Sequence, residues 1–377
     1  MESMGRRVNK IKKLFNGVYF GKKVLITGHT GFKGSWLSLW LSLMGADITG
    51  FSLEPDTNPN HFSLLDIKIN SIIGDIRNEN LLNDVINKYR PDIIFHLAAQ
   101  PLVRRSYKIP LETFETNVMG TANIFEACRS VKSVKAIINI TSDKCYENKE
   151  LQNYGYKEND RLGGYDPYSA SKACAELVTG AYCNSFFNVS DYGKTHNTLV
   201  ASCRAGNVIG GGDWGEDRLL PDIVRSASSN ETTVIRNPQA VRPWQHVLEP
   251  LSGYLLLGQK LLEGGAEFAC AWNFGPESED CITVKQLLDH SQSLWNSIKY
   301  DTAPKHSDNP HEACLLSLDC SEAKEKLKWK NVWGLKTALE KTIDWYKSFY
   351  EKDHILTEQE IKDYICEAKK RGLVWVF

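Results

Sequence analysis

The chain has 377 residues, more than one ordinary domain needs, and its 45 Lys and Arg nearly balance its 46 Asp and Glu. Because there is no long basic run, we expect no nucleic-acid partner and no attachment to an anionic membrane. Ten cysteines without CxxC pairs favour reduced cytoplasmic thiols and predict no metal site. No stretch reads as a bilayer span, and residues 1–20 are treated as an extension of unknown role.

The segment 23–44 has the pattern of a strand, a tight turn and a helix. A short β-branched run leads into Gly28, Gly31 and Gly34, which stand three residues apart, and an apolar helical segment follows. Glycine lacks a Cβ, so the backbone of such a turn can approach a pyrophosphate, and the first helical turn offers unpaired N–H donors. The pattern therefore favours dinucleotide binding over an ordinary tight turn.

Two further strands are predicted at 47–53 and 71–76. An acidic residue at the end of the first would bind the ribose hydroxyls of NAD, but here Glu54 and Asp56 come slightly later, so NADP stays open beside NAD. Asp75, at the end of the second strand, either accepts a hydrogen bond from an adenine amino group or is a plain turn aspartate.

Small residues end a fourth predicted strand, at 92–99, and leave room for a cofactor. The helix predicted at 111–129 carries Asn117 among apolar residues. This amide either contributes to the cofactor site or is simply solvated.

The fifth predicted strand runs into Ser142, Asp143 and Lys144, at the edge where open α/β sheets place their ligands. Tyr168 opens a helix, and Lys172 stands four residues later on the same face. An ammonium beside the phenol is expected to lower the pKa of Tyr168 toward that of a useful base, while Ser142 binds the same substrate oxygen. Together with the glycine turn, this set favours catalysis over two unrelated surface residues.

Beyond a sixth predicted strand, a glycine-rich loop at 206–214 marks the substrate lobe. Arg218, Arg236 and Arg242 form a spaced basic set, and guanidinium groups match phosphate oxygens in geometry and charge. Each of them, taken alone, could be a surface arginine.

The last part of the chain is predicted to be mostly helical after a return strand at 268–274. His246 has no second ligand or nucleophile as a partner and is interpreted as a packed or hydrogen-bonded histidine. Thr357 and Glu360 have the spacing of a capping box for the terminal helix. The apolar tail at 373–377 is expected to pack on its own chain or, alternatively, on a second subunit.

Five long and unusual strings stand in this sequence: ITGHTGFKGSWL, TSDKCYEN, YDPYSASKACAE, RAGNVIGGGDWGEDRLLPD and VRPWQHVLEPLSGYL. They resemble the extended short-chain dehydrogenase/reductases and, within them, the CDP-glucose 4,6-dehydratases, over about residues 21–345. The resemblance implies a tightly held NAD and an α/β fold, a Rossmann-type doubly wound parallel sheet with a smaller, mainly C-terminal substrate-binding lobe. Many related dehydratases have Asp-Glu where this chain has Asp143-Lys144, a pair that resembles the CDP-glucose branch.

The resemblance extends to the site residues and to the division of the chain. The candidate cofactor contacts are Gly28, Thr30, Gly31, Phe32, Lys33, Gly34, Asp75, Ile76, Leu97, Ala98, Ala99, Gln100, Asn117, Tyr168 and Lys172. The candidate catalytic residues are Ser142, Asp143, Lys144, Tyr168 and Lys172, and the candidate substrate contacts are Asn207, Arg218, Arg236 and Arg242. The expected division is an extension at 1–20, a dinucleotide domain at 21–205 with a return segment at 243–275, a substrate lobe at 206–242 and 276–352, and a terminal helix and tail at 353–377.

In the reaction that the resemblance implies, Tyr168 takes the 4-OH proton of CDP-glucose while a hydride leaves C4, and the 4-ketone acidifies the C5 hydrogen. Asp143 is the candidate acid for the departing 6-OH, which would require a raised pKa. Lys144 either takes the C5 proton when neutral or stabilises the enolate as an ammonium. A solvated Asp-Lys pair on a loop is the alternative to both roles.

Two other functions share part of this pattern. A sugar-nucleotide 4-epimerase would use the same fold, cofactor, Tyr168 and Lys172, but typically has small residues at 143–144, so the Asp-Lys pair favours dehydration. A non-catalytic NAD-binding regulator would tolerate loss of the Ser-Tyr-Lys set, which this chain retains. In the family it resembles, the helices that begin near Leu111 and Tyr168 pair across subunits, so we expect a homodimer.

Overall fold

The computed structural model describes residues 11–302 and 315–377. The strands in this part of the chain are β1 Lys23–Thr27, β2 Asp47–Ser52, β3 Asn70–Ile73, β4 Ile93–His96, β5 Ala136–Ile140, β6 Leu199–Ala205, β7 Val208–Ile209, β8 Thr232–Ile235, β9 Val241–Pro243, β10 Gln245–His246, β11 Ala271–Phe274, β12 Cys281–Thr283 and β13 Lys299–Thr302. The α-helices are α1 Phe32–Leu43, α2 His61–Leu64, α3 Glu79–Tyr89, α4 Val103–Lys108, α5 Pro110–Phe114, α6 Gly120–Arg129, α7 Pro167–Ser185, α8 Leu219–Ser228, α9 Leu248–Leu262, α10 Val284–Leu294, α11 Ser321–Glu325, α12 Leu335–Lys352 and α13 Thr357–Lys370.

Seven parallel strands form the central sheet, in the order β11-β6-β5-β4-β1-β2-β3. The chain runs outward from β1 to β3 and then returns to β4 on the other side of β1, where Val24 pairs with Ile93. The connections leave the carboxyl ends of β1 and β4 in opposite directions, and a ligand crevice forms at such a switch point. The doubly wound parallel sheet predicted from the sequence is confirmed, and the predicted return strand is β11.

Helices cover both faces of the sheet, because its central strands are apolar on both sides. All five residues of β5 are buried. Helices α1 and α9 pack on one face, where Trp36, Trp40 and Leu255 are fully buried. Helices α3, α6 and α7 pack on the other, around Leu82 and Ile124. The sheet therefore holds α7, which carries Tyr168, firmly against its carboxyl edge.

Residues from both ends of the described chain complete the core on the α1 side. Phe15 is buried there and stacks on Trp375, with ring centroids 5.2 Å apart. The backbone N–H of Asn16 donates to the carbonyl of Phe377 at 3.2 Å. The tail thus packs on its own chain, and Leu14, Phe15 and Tyr19 of the predicted extension belong to the main core, while residues 1–10 lie outside the described part.

The smaller lobe has a hydrophobic core of its own. Helices α8, α10 and α12 supply it, with Ile223, Leu287 and Tyr346 among its buried side chains. Two-stranded sheets, β9 with β12 and β8 with β13, lie in the same part of the chain. Residues 303–314 of the predicted lobe lie outside the described residues. Among the helices at 11–302 and 315–377, none combines the length and apolarity that crossing a bilayer demands.

Two helix starts show how local signals compete with tertiary contacts. Thr283 caps α10 in a complete capping box. The capping box predicted at Thr357 and Glu360 is wrong, because Thr357 is the first residue of α13 and its hydroxyl bonds to His61 and Trp345. The Thr357 hydroxyl, which could otherwise cap the helix, is hydrogen-bonded to the buried rings of His61 and Trp345 instead.

Candidate active site

The glycine turn between β1 and α1 forms a cradle that side chains would fill. Gly28 has φ +75°, and a Cβ there would lie 2.8 Å from the backbone nitrogen of Ala98, at the end of β4. A Cβ at Gly34 would lie 2.1 Å from the Gly28 carbonyl oxygen. Helix α1 begins at Phe32 with no acidic residue in its first turn, so its positive end favours an anion. The cradle fits the diphosphate of a dinucleotide.

No carboxylate ends β2, as the sequence indicated. Thr30 donates to the Leu53 carbonyl at 3.0 Å and lies 2.7 Å from the hydroxyl of Ser52, which therefore donates to it. Glu54 and Asp56 follow, and both are exposed. An adenosine ribose at this edge would meet hydroxyl and backbone groups rather than a strand-end acid.

Asp75 follows β3 with its carboxylate paired to Arg77. The guanidinium of Arg77 lies 2.6 Å from this carboxylate and holds the pKa of Asp75 below its ordinary value. Asp75 also accepts from the backbone N–H of Arg77 at 2.9 Å, which is the geometry of an Asx turn. Ile76 is buried against Gly120. Asp75 is therefore both a turn aspartate and an ionised acceptor beside the crevice.

Asn117 is buried and joins the end of β4 to the catalytic helix. Its side-chain oxygen accepts from the backbone N–H of Gln100 at 2.8 Å, and its amide nitrogen donates to the Gln100 carbonyl at 3.0 Å. The same amide donates to Ser171 Oγ at 2.8 Å. The solvated alternative for Asn117 is therefore wrong, and this side chain fixes the backbone that follows Ala98 and Ala99.

Ser142, Tyr168 and Lys172 come together at the carboxyl edge of the sheet, and all three are buried. Ser142 lies close enough to Tyr168 to lower the pKa of its phenol, and Lys172 Nζ donates to the Ile140 carbonyl at 3.4 Å. Burial raises the pKa of Tyr168 to about 12, against the lowering effect of Ser142. Burial also lowers the pKa of Lys172 to about 8. The predicted lowering of the Tyr168 pKa is wrong for this arrangement, because desolvation dominates.

Asp143 is buried, with one carboxylate oxygen bonded and the other unpartnered. Ser142 donates to Oδ1 at 3.0 Å. Oδ2 has no hydrogen-bond partner within the described residues and faces Gly206, where an added Cβ would lie 3.1 Å away. Lys144 Nζ lies 4.0 Å from Oδ1 and is partly exposed. The solvated-loop alternative is wrong for Asp143, whose side chain is 3% exposed.

A buried ion pair beneath the catalytic residues has no counterpart in the sequence predictions. Glu176, four residues after Lys172 on α7, pairs with Arg204 of β6 at 2.9 Å. Thr141 and Ser202 also donate to its carboxylate. The negative charge of Glu176 raises the pKa of Lys172 against the effect of burial. The spacing of four residues from Lys172 could have placed Glu176 on the same helix face, but nothing in the local sequence identifies Arg204 as its partner.

Arg218 lies close enough to Tyr168 and Lys33 for its charge to shift their pKa values. Its guanidinium is 2.8 Å from the carboxylate of Asp213. Its positive charge opposes the rise in the pKa of Tyr168 and adds to the effect of burial, which lowers the pKa of Lys33 to about 8. An anionic group of a substrate would therefore meet Arg218 between the glycine turn and Tyr168.

Arg236 and Arg242 occupy different places. Arg236 shares Oδ1 of Asp217 with Arg104 of α4, at 3.3 and 3.2 Å. Arg104, which the sequence reasoning missed, comes from the dinucleotide side of the molecule. Arg242 lies in β9 opposite Ile282 of β12. Arg218 and Arg236 thus both pair with acids of one segment, at 213–217, while Arg242 belongs to the antiparallel pair of the lobe.

Asn207 and His246 lie around the β7–β10 pair. The Asn207 carbonyl accepts from the backbone N–H of Gln245 at 3.3 Å. His246 is fully buried, with its ring 5.0 Å from that of Trp333. The interpretation of His246 as a packed histidine is confirmed.

Comparisons with known proteins find relatives along most of the chain. The family described as GDP-mannose 4,6 dehydratase matches residues 25–342. The CDP-glucose 4,6-dehydratase of Salmonella typhimurium is 51% identical over 93% of this chain and 98% of its own length. Among solved structures, UDP-glucose 4-epimerase of Thermotoga maritima has a TM-score of 0.74 at 21% identity, covering 86% of this chain and 99% of that one. The dTDP-glucose 4,6-dehydratase of Streptomyces venezuelae has a TM-score of 0.72 at 23% identity, covering 86% of this chain and 97% of that one. The chain therefore belongs to the GDP-mannose 4,6 dehydratase family.

Proposed function

We propose that this chain is a CDP-glucose 4,6-dehydratase, a hydro-lyase that converts CDP-D-glucose to CDP-4-dehydro-6-deoxy-D-glucose and water with bound NAD. The observation that carries the proposal is the buried Asp143, which accepts from Ser142 through Oδ1, keeps Oδ2 unpartnered and acts electrostatically on Tyr168. Expulsion of a sugar hydroxyl requires an acid, whereas a 4-epimerase has no step that needs one. The relative with 51% identity bears the same name. We place the enzyme in the cytoplasm, in deoxysugar biosynthesis for surface polysaccharide.

We propose that the glycine turn between β1 and α1 binds the diphosphate of NAD. Gly28 and Gly34 leave no room for a Cβ, and Asp75 offers an ionised acceptor after β3. When bound, NAD accepts a hydride from sugar C4 and returns it to C6. The residues proposed to hold it are Gly28, Thr30, Gly31, Phe32, Lys33, Gly34, Asp75, Ile76, Leu97, Ala98, Ala99, Gln100, Asn117, Tyr168 and Lys172.

The proton transfers fall to the chain's own side chains. Tyr168 takes the 4-OH proton as a phenolate, which requires the positive charges of Lys172, one helical turn away, and of Arg218 to offset the burial that raises its pKa. Asp143 gives a proton to the 6-OH as the C6–O bond breaks, so water leaves and the carboxylate remains. Lys144, near Asp143 and partly exposed, either takes the C5 proton when neutral, or stabilises the enolate as an ammonium while water takes that proton. In both cases a proton returns to C5 as the hydride reaches C6, and the 4-OH proton taken by Tyr168 replaces the one that Asp143 has given to the leaving water. Asn207, Arg218, Arg236 and Arg242 are proposed to hold the nucleotide diphosphate.

CDP-glucose deuterated at C4 is expected to give a product that carries the deuterium at C6, because the hydride leaves and returns within one active site. Mass spectrometry of the product would locate the label and show the loss of one water. The 4-keto-6-deoxy product should also absorb near the ultraviolet edge in alkali, unlike an epimerised sugar. Label in the solvent would contradict the internal return, and no conversion of CDP-glucose would contradict the function itself.

We also propose a homodimer built on the outer faces of two helical segments. Leu111 and Met119, on the segment 110–129, are 77% and 56% exposed, and Leu177 on α7 is 62% exposed. Segment 110–129 packs beside α7 in the fold. Such neighbouring apolar side chains are typical of a surface that another protein covers.

Leu177→Glu is expected to convert the dimer to a single chain, because the new carboxylate would be buried without a partner in the interface. Light scattering at micromolar concentration measures the change in mass. Val234→Glu is the matched control, since Val234 is equally exposed, at 61%, but lies in β8 of the lobe. A mass near 42.6 kDa for the unaltered protein would contradict the dimer.

A further inference from the structure

A chain of hydrogen bonds crosses the interior from α12 of the lobe to α1 of the dinucleotide half. Trp345 Nε1 donates to Thr357 Oγ1 at 2.9 Å, and Thr357 Oγ1 lies 2.8 Å from His61 Nε2. His61 Nδ1 lies 2.7 Å from Ser35 Oγ, which donates to the Phe32 carbonyl at 2.8 Å. This series of hydrogen bonds thus ends at Phe32, the first residue of the helix that follows the glycine turn.

The direction of every bond in this chain is determined. The Phe32 carbonyl can only accept, so Ser35 uses its one proton there and must accept from His61 Nδ1–H. In the neutral ring Nε2 is then an acceptor, so Thr357 donates to it and itself accepts from the indole N–H of Trp345. The imidazole is therefore assigned as the neutral tautomer with its proton on Nδ1. Burial lowers the pKa of His61 to about 3, which agrees with a neutral ring. Removing any member would leave buried neighbours without partners.

Two rings of this hydrogen-bonded series, Trp345 and His61, pack against the backbone of the segment before α8. A Cβ at Gly211 would lie 2.0 Å from the ring of Trp345. Gly212 has φ +84°, and a Cβ there would lie 2.4 Å from the ring of His61. Trp36 of α1 donates its indole N–H to the Gly211 carbonyl at 3.0 Å. The two glycines allow the backbone to lie directly on the rings, so a shift of either ring must move the backbone.

The same segment leads to Arg218, whose positive charge acts on Tyr168. Asp213 follows Gly212, and its backbone N–H donates to the hydroxyl of Tyr346 at 3.0 Å, which donates back to the Asp213 carbonyl at 2.5 Å. The Asp213 carboxylate accepts from Arg218 at 2.8 Å. The position of Arg218 relative to the glycine turn therefore depends on the rings of Trp345 and His61, which pack against Gly211 and Gly212.

We propose that Thr357 is a positioning residue for the nucleotide sugar: its hydroxyl orients Trp345 and His61, and these rings set the 206–218 segment, with Arg218, against α1. Thr357 lies in none of the positions proposed to hold cofactor or substrate, so its loss should weaken substrate binding through Arg218 far more than it slows the chemical step. This inference rests on the proposed function for the identity of the substrate.

Thr357→Val removes the hydroxyl and keeps the shape, and is expected to raise KM for CDP-glucose about tenfold with kcat changed less than about twofold. Thr357→Ser, which keeps the hydroxyl, should restore KM. Thr342→Val is the matched control, because Thr342 is equally buried on α12 and donates only within its own helix, to the Ala338 carbonyl at 2.7 Å. Hydrogen exchange in 206–218 should accelerate in Thr357→Val and not in Thr342→Val.

The outcomes separate the positioning role from the function. If Thr357→Val and Thr342→Val share one KM, or if kcat falls while KM stays, the positioning role is wrong and the dehydratase activity stands. If the unaltered protein converts no CDP-glucose, the proposed function is wrong, and the exchange rates of 206–218 still decide whether Thr357 holds this segment.

Discussion

Tyr168→Phe is expected to lower turnover of CDP-glucose about a thousandfold, because the ring and its packing stay while the group that takes the 4-OH proton is lost. Tyr168 is buried, and phenylalanine keeps its ring in the same space without the hydroxyl. The alkaline absorbance of the keto product measures the loss. Binding of CDP-glucose, followed by calorimetry, should change little, because Arg218 and its partner Asp213 are untouched.

The control for this substitution lies on the same helix. Tyr182 of α7 donates its hydroxyl to Glu126 at 3.1 Å, away from the sheet edge, and Tyr182→Phe should turn over as the unaltered enzyme does. If Tyr168→Phe kept more than about a tenth of the activity, Tyr168 would not be the proton acceptor.

Asp143→Asn is expected to stall the reaction after oxidation of the sugar, with overall turnover reduced about a hundredfold or more. Asparagine keeps the shape and can still accept from Ser142, as Asp143 does at 3.0 Å, but it has no acidic proton for the departing 6-OH. Reduced nicotinamide should therefore accumulate during a single turnover. Rapid mixing with CDP-glucose, followed at the absorbance of reduced nicotinamide, measures this accumulation.

Asp160→Asn is the matched control, because Asp160 lies further along the loop between β5 and α7 and accepts from the exposed hydroxyl of Tyr154 at 2.9 Å. It should show no accumulation. Full turnover by Asp143→Asn without any build-up of reduced nicotinamide would mean that Asp143 is not the acid. The dehydratase assignment would then lose the observation on which it depends.

The features that could be predicted from the sequence are those set by local spacing. The glycine turn follows from three glycines in seven positions, and Tyr168 and Lys172 share a face because one helical turn separates them. Ser142 and Asp143 could be placed because parallel strands end at one edge of a sheet. Each of these predictions needs only the nearest element and the class of fold.

The rest depends on which distant elements touch. Arg204 meets Glu176 across 28 positions, and Thr357 meets His61 across 296, so neither pair has a local signature. The capping pattern at Thr357 was misleading because a tertiary hydrogen bond is available to the same hydroxyl. The pKa of Tyr168 was predicted in the wrong direction for a similar reason, since helical spacing gives the distance to Lys172 but not the depth of burial.

The stacking of Phe15 on Trp375 has a consequence for synthesis. Both rings belong to the largest core of the molecule, together with Trp40, which lies 5.8 Å from the ring of Trp375. A ribosome makes Phe15 and Trp40 more than 300 residues before Trp375, the ring that covers them. This part of the core therefore cannot close when its first residues emerge, and its aromatic side chains stay accessible to chaperones until Trp375 has been made.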